Sequence, residues 1–75
     1  MKLVRIDWVD SRAAPNEGEH INGIESLEPV HCTSVGFLVE VTPAYKTIAH
    51  SMSETQVCGR ITIPTVCIKK RRRLR

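Results

Sequence analysis

The stretch Ser34-Val-Gly-Phe-Leu-Val-Glu-Val-Thr-Pro-Ala-Tyr-Lys-Thr-Ile-Ala-His50 reads as two strands with their turn between them. Val35, Phe37, Val39 and Val41 alternate with Ser34, Gly36 and Glu40, the period-two pattern of a strand with one buried face. Leu38 breaks the alternation and indicates that the second face is also partly covered, as in a small barrel or at a subunit contact. Thr42-Pro43-Ala44 is the breaker: proline has no amide hydrogen for a ladder and fixes φ near the value a turn requires. The chain then resumes as a strand over Tyr45 to Met52, with Ile48 and Met52 inward.

Working outward, Lys2 to Asp10 places Val4, Ile6 and Trp8 on one side and Arg5 and Asp7 on the other, a first strand anchored in the core by Trp8. Ser11 to Gly23 changes to Ala, Pro, Asn, Glu and Gly and predicts an exposed loop, acidic at Glu17 and Glu19. Asn22 and Glu25 resemble a capping box for about one helical turn that carries Ile24 and Leu27 and ends by Pro29. Val30 to Val41 is the second strand, bent at Gly36. Val57, Gly59, Ile61 and Ile63 alternate with Cys58, Arg60 and Thr62 as the fourth. Pro64-Thr65-Val66 predicts a tight or single 3₁₀ turn, and a last strand starts at Val66 or Cys67. Five short strands and one helical turn imply an all-β sandwich or barrel.

Seventy-five residues make one domain whose core is marginal alone, so a disulfide, a metal or self-association is to be sought. Cys32, Cys58 and Cys67 are an odd set with no close pair, and no export signal or membrane-length apolar run is read, so a reducing cytoplasm is the expected compartment. The net charge of +3 hides an asymmetry. Residues 1–68 hold five Lys and Arg against all eight acids, a net of −3, and residues 69–75 hold the other six cations. We therefore divide the chain into a body, 1–68, and a basic strand end or tail, 69–75.

That tail, Lys69-Lys70-Arg71-Arg72-Arg73-Leu74-Arg75, is the strongest functional signal, a set of cations drawn to phosphates in a salt-dependent manner. In an extended chain Lys70 and Arg72 face one way with Leu74, and Lys69, Arg71, Arg73 and Arg75 the other. The alternative reading is a solvated segment or one paired with the acidic body. Aromatics are few, and Tyr45 is the exposed candidate for stacking on a base. His20, His31, His50 and the cysteines lack zinc-ligand spacing, and the thiols read as buried or half-buried. No local motif joins Cys, His and an acid for catalysis, and Gly59-Arg60 lacks the glycine density of a phosphate loop. No catalytic residue, metal or cofactor is assigned.

The order of a strand bent at Gly36, a turn, a Tyr45-led strand, Ile61-Thr62-Ile63-Pro64, a short turn, then Ile68 and a basic strand resembles the Sm-like fold over residues 30–74. Trp8-Val9-Asp10, Cys32-Thr33-Ser34-Val35-Gly36, Val57-Cys58-Gly59 and Ile63-Pro64 resemble short bacteriophage-encoded proteins of uncertain function thought to be Sm-like. The resemblance implies a five-stranded Sm-like or SH3-like barrel and a homo-oligomeric ring joined from fourth to fifth strand. Together with the basic tail it gives the expectation of a non-enzymatic binding protein of phage origin, in the host cytoplasm and off the membrane, that takes nucleic acid, RNA ahead of DNA, or a phosphorylated nucleotide. The residues singled out for binding by their own chemistry are Tyr45, Lys46, Arg60, Lys69, Lys70, Arg71, Arg72, Arg73 and Arg75; in a nucleotide-sequestering variant Tyr45, Lys46, Arg60 and the tail build pockets at subunit contacts. The alternative is an inhibitor of host defence that blocks a host protein or sequesters a signalling nucleotide.

Overall fold

The computed structural model describes residues 1–14 and 17–75. Its order is β1 (Leu3–Asp10), a 3₁₀ turn η1 (Ile21–Gly23), β2 (Val30–Val41), β3 (Tyr45–Met52), β4 (Val57–Pro64), a 3₁₀ turn η2 (Thr65–Cys67) and β5 (Ile68–Arg73). All five strands lie in one antiparallel sheet, ordered β4-β3-β2-β1-β5. The sheet is open: β4 and β5 are its two edges and do not pair with each other.

Neither is it flat. Four strand spacings separate the edges, about 19 Å in a flat sheet. Pro64 and Ile68 are joined only through η2, which spans at most about 14 Å. The sheet must therefore roll, and the rolling has local causes. Pairing between β2 and β3 shifts register between Leu38 and Glu40, and pairing between β1 and β5 shifts between Asp7 and Trp8; such bulges bend and twist a strand. Thr65 N–H donates to the Ala44 carbonyl at 2.9 Å and pins η2 to the β2–β3 turn.

That turn is built by Thr42. Its backbone N–H donates to the Tyr45 carbonyl at 2.9 Å, and its hydroxyl accepts from the Ala44 and Tyr45 amides at 3.2 and 3.0 Å. Here the sequence reading holds, with strands on either side of residues 42–44 as expected.

Val4, Ile6, Ile48 and Ile63 form the core, with Trp8, Leu38, Cys67 and Ile68 packed against it. Full burial of each aliphatic side chain contributes about 1.5–3 kcal/mol, so this cluster is small against the entropy of ordering the chain. Trp8 sits where the sequence places it, half-buried, and its indole N–H donates to Ser34 Oγ at 3.0 Å. The molecule is elongated, 54 × 22 × 20 Å, with a radius of gyration of 16.2 Å. A compact chain of this length has about 11 Å.

Several expectations are corrected. The core side of β2 is not the Val35 face: Val35 is 50% exposed, while Gly36 is buried and Leu38 packs inward. Tight curvature needs a small residue inside, and Gly36 meets that need. Met52 is 43% exposed, not inward, because β3 runs out past the core into a solvated hairpin end with Val57 opposite. The capping box does not form. η1 spans Ile21–Gly23, its N-cap is His20 with no side-chain capping bond, and it buries no residue. The Pro15–Asn16 part of the acidic loop lies outside the described residues; residues 17–23 are exposed as expected, and so are residues 24–29, Ile24 and Leu27 included. Cys58 is exposed, since it lies on the edge strand β4. No helix among the described residues is long and apolar enough to cross a membrane.

Candidate anion site on the β1–β5 face

The basic run is not a loose appendage. Lys69 to Arg73 belong to β5, which pairs antiparallel with β1, and the ladder continues past it: Leu74 N–H donates to the Leu3 carbonyl at 2.7 Å and Leu3 N–H to the Arg75 carbonyl at 2.9 Å. Residues directly opposite in a ladder share a face. Lys70 therefore stands beside Asp7 and Arg72 beside Arg5, on the side away from the core, while Arg71 and Arg73 oppose Ile6 and Val4. This is the parity read from the sequence. Lys69 falls at the register shift and has no direct partner.

On the outer side, β1 and β2 contribute the rest of the cluster. Arg5 Nε donates to Asp7 Oδ1 at 3.1 Å, and the Thr33 hydroxyl donates to the same oxygen at 2.9 Å. Thr33 reaches it because the β1–β2 register sets Thr33 directly opposite Asp7. The Thr33 hydrogen bond, then that from Arg5, hold the Asp7 carboxyl below its ordinary value of 3.8, with nearby Lys70 a smaller cause. Asp7 is therefore an anion at neutral pH. Arg5–Asp7 is the one ion pair among the described residues, and both side chains are partly exposed. Such a pair contributes little stability and serves mainly to orient its members.

Arg5, Asp7, Lys70 and Arg72 line a pocket of about 90 Å³. A water molecule occupies about 30 Å³ in the liquid and ligand pockets start near 300 Å³, so this open pocket encloses about one phosphate-sized group, and a nucleobase would lie outside it. Three cations and one carboxylate leave it net positive.

Of the residues expected to bind, Lys70 and Arg72 are brought together here, Arg71 and Arg73 lie on the other face of β5, and Arg75 continues the ladder. Tyr45, Lys46 and Arg60 lie elsewhere. Tyr45 pairs with Pro64, Lys46 with Ile63 and Arg60 with Ala49, in the β3–β4 half of the sheet, with β2 and β1 between them and β5. Tyr45 and Lys46 are half-buried and Arg60 is exposed. Arg5, Asp7 and Thr33 were not singled out as binding residues from the sequence. Their only signal was that Arg5 and Asp7 occupy the polar side of the first strand; which strand neighbours them is set by register.

A second pocket, about 270 Å³, lies at the opposite end of β3 and β4, where Met1, Met52 and Val57 meet the 53–56 turn. Comparison of the chain with protein-family models, with curated proteins and with solved structures finds no match.

Proposed function

We propose that this chain is a small Sm-like or SH3-like barrel module that binds without turnover, self-associates through its sheet edges, and presents a cationic strand to RNA, DNA or a phosphorylated nucleotide. The observation that carries the reading is β5 itself. Six cations within residues 69–75 are ordered by a ladder to β1, every residue from Lys69 to Arg75 is exposed, and the one ion pair among the described residues lies on β1. Along one face of a strand, alternate cations stand about 6.7 Å apart, a regular charge row that a flexible tail does not hold.

The barrel reading is supported by the strand order and by the single turn η2 that connects the two edges. Self-association is supported by the small core and by the unpaired edges. Among the described residues eleven large hydrophobics are exposed, Val57 and Ile61 on β4 among them. A bare edge is a template for further pairing, and charge decides with what. Two β5 strands repel one another, whereas β4 carries only Arg60 as a charge and accepts β5. Such β4-to-β5 contact is head-to-tail and builds a ring when its rotation closes. Each added subunit repeats the cationic row and multiplies weak contacts into avidity.

The test is equilibrium binding to RNA and DNA of one sequence at rising salt. Because residues 69–75 are part of the sheet, charge removal is the informative change, not truncation. Lys70→Ala with Arg72→Ala lowers affinity for both polymers and flattens the slope of log K against log salt by about 1.4–1.8, two phosphate contacts. An unchanged slope places the polyanion elsewhere.

A further inference from the structure

Asp7 is an odd member of a phosphate site, and its geometry gives it a task. A carboxylate accepts hydrogen bonds and donates none, so it repels phosphate and attracts hydroxyls. Both of its hydrogen bonds, from Arg5 and from Thr33, go to Oδ1. Among the described residues Oδ2 accepts none; the side chain is 31% exposed to solvent and lines the pocket it shares with Lys70 and Arg72. Arg5 is committed only through Nε and keeps its terminal N–H groups for a ligand. A fixed acceptor therefore stands beside a row of donors inside one small pocket.

We infer that this pocket selects phosphate groups with a hydroxyl on the neighbouring carbon: Lys70 and Arg72 hold the phosphate, and Asp7 Oδ2 accepts from the hydroxyl. In a nucleic acid that chemistry is the ribose 2′-hydroxyl beside the 3′-phosphate, which deoxyribose lacks. The inference rests on the binding reading above and adds to it a reason for choosing ribose over deoxyribose. Since the pocket is too small for a base, the choice is independent of base sequence. Arg5 and Thr33 act as positioning residues, because they hold the carboxylate through Oδ1 and leave Oδ2 without a bond among the described residues.

The test uses the full chain and oligonucleotides of identical sequence with ribose or deoxyribose backbones, followed by fluorescence anisotropy. The expected result is a preference for ribose of roughly tenfold, the size of one charge-assisted hydrogen bond. Asp7→Ala abolishes the preference and tightens deoxyribose binding, since a repelling charge is gone. Asp7→Asn keeps the shape and a neutral acceptor, and lowers the preference to about threefold even if the alanine variant fails to fold. Against the unmodified protein, adenosine 3′-monophosphate competes better than its 2′-deoxy counterpart; competition at similar concentrations to the oligomer identifies a free nucleotide as the source, and competition only at far higher ones a polymer. Equal binding of both backbones, or a preference that survives both Asp7 variants, overturns the inference while the polyanion reading stands. Failure of both backbones to bind the unmodified protein removes the inference and the polyanion reading together.

Discussion

A Cβ placed on Gly36 would stand 2.7 Å from the carbonyl oxygen of Ala49 and 3.2 Å from the Ile48 side chain. Gly36 does not hold a positive φ, so its role is close approach of β2 to β3 and not backbone freedom. The obstacle is main chain on a neighbouring strand and has no rotamer by which to yield. Gly36→Ala is expected to destabilise the fold by about 1–3 kcal/mol, measured by urea denaturation. A neutral result would mean that the two strands are not this close.

Gly59 presents a different case. It has φ +70°, and a Cβ there meets the imidazole of His50 on β3. His50 is exposed and able to swing aside, so the steric and backbone contributions are separable. Gly59→Ala alone is expected to lose stability; Gly59→Ala with His50→Ala recovers the steric part and keeps a residual loss of about 1 kcal/mol from the left-handed backbone. Full recovery in the double variant would show that φ costs nothing here.

Removal of residues 69–75 is expected to lower the thermal midpoint sharply, since it takes away β5 and leaves β1 with a bare edge beside the core. Replacing the same cations with threonine, a good strand former, retains the fold. Circular dichroism melts of the two variants distinguish a structural strand from a solvated tail.

Asp7 links stability to pH in a fixed direction. Its carboxyl is held below the ordinary 3.8 in the folded chain, by Thr33 and then by Arg5. Its contribution is complete above the unfolded value and is lost as pH falls through the lower folded one. Asp7→Asn should therefore show a shallower loss of thermal stability below about pH 4 than the unmodified chain, with no difference in slope near neutrality. Parallel curves throughout the acid range would remove the Thr33 and Arg5 contacts as a cause.

Native mass spectrometry of the protein as purified should find one closed assembly of several copies that persists in high salt. The proposed β4-to-β5 contact would rest on backbone hydrogen bonds and on cover for Val57 and Ile61, and salt screens neither. A monomer at micromolar concentration would leave the exposed β4 residues without a covering surface.

How much of this was legible in the sequence depends on what decides each feature. The hairpin at residues 34–50 was legible because Thr42-Pro43-Ala44 forces a turn locally and the flanking residues favour extended backbone. The inward face of β2 was not. Val35, Phe37, Val39 and Val41 outnumber the apolar residues of the other set, yet Gly36 and Leu38 face the core: β2 approaches β3 so closely that a side chain at position 36 would meet the Ala49 carbonyl, and Leu38 stands opposite the core residue Ile48. A count of hydrophobicity does not contain curvature. The capping box at Asn22 matched in pattern and failed in fact, since a turn with no surface to pack on gains too little from a cap.

By itself the sequence determined five extended segments and the hairpin turn at residues 42–44, consequences of backbone sterics and alternation along a local stretch, and it left the cations of residues 69–75 open as a strand end or a tail. Only the tertiary structure decided that Lys70 lies beside Asp7 and Arg72 beside Arg5, and that Tyr45, Lys46 and Arg60 lie across the sheet from them. The physical reason is that strand order and register are set by which rolled arrangement buries Val4, Ile6, Ile48 and Ile63 together, a condition on the whole chain that no local pattern expresses.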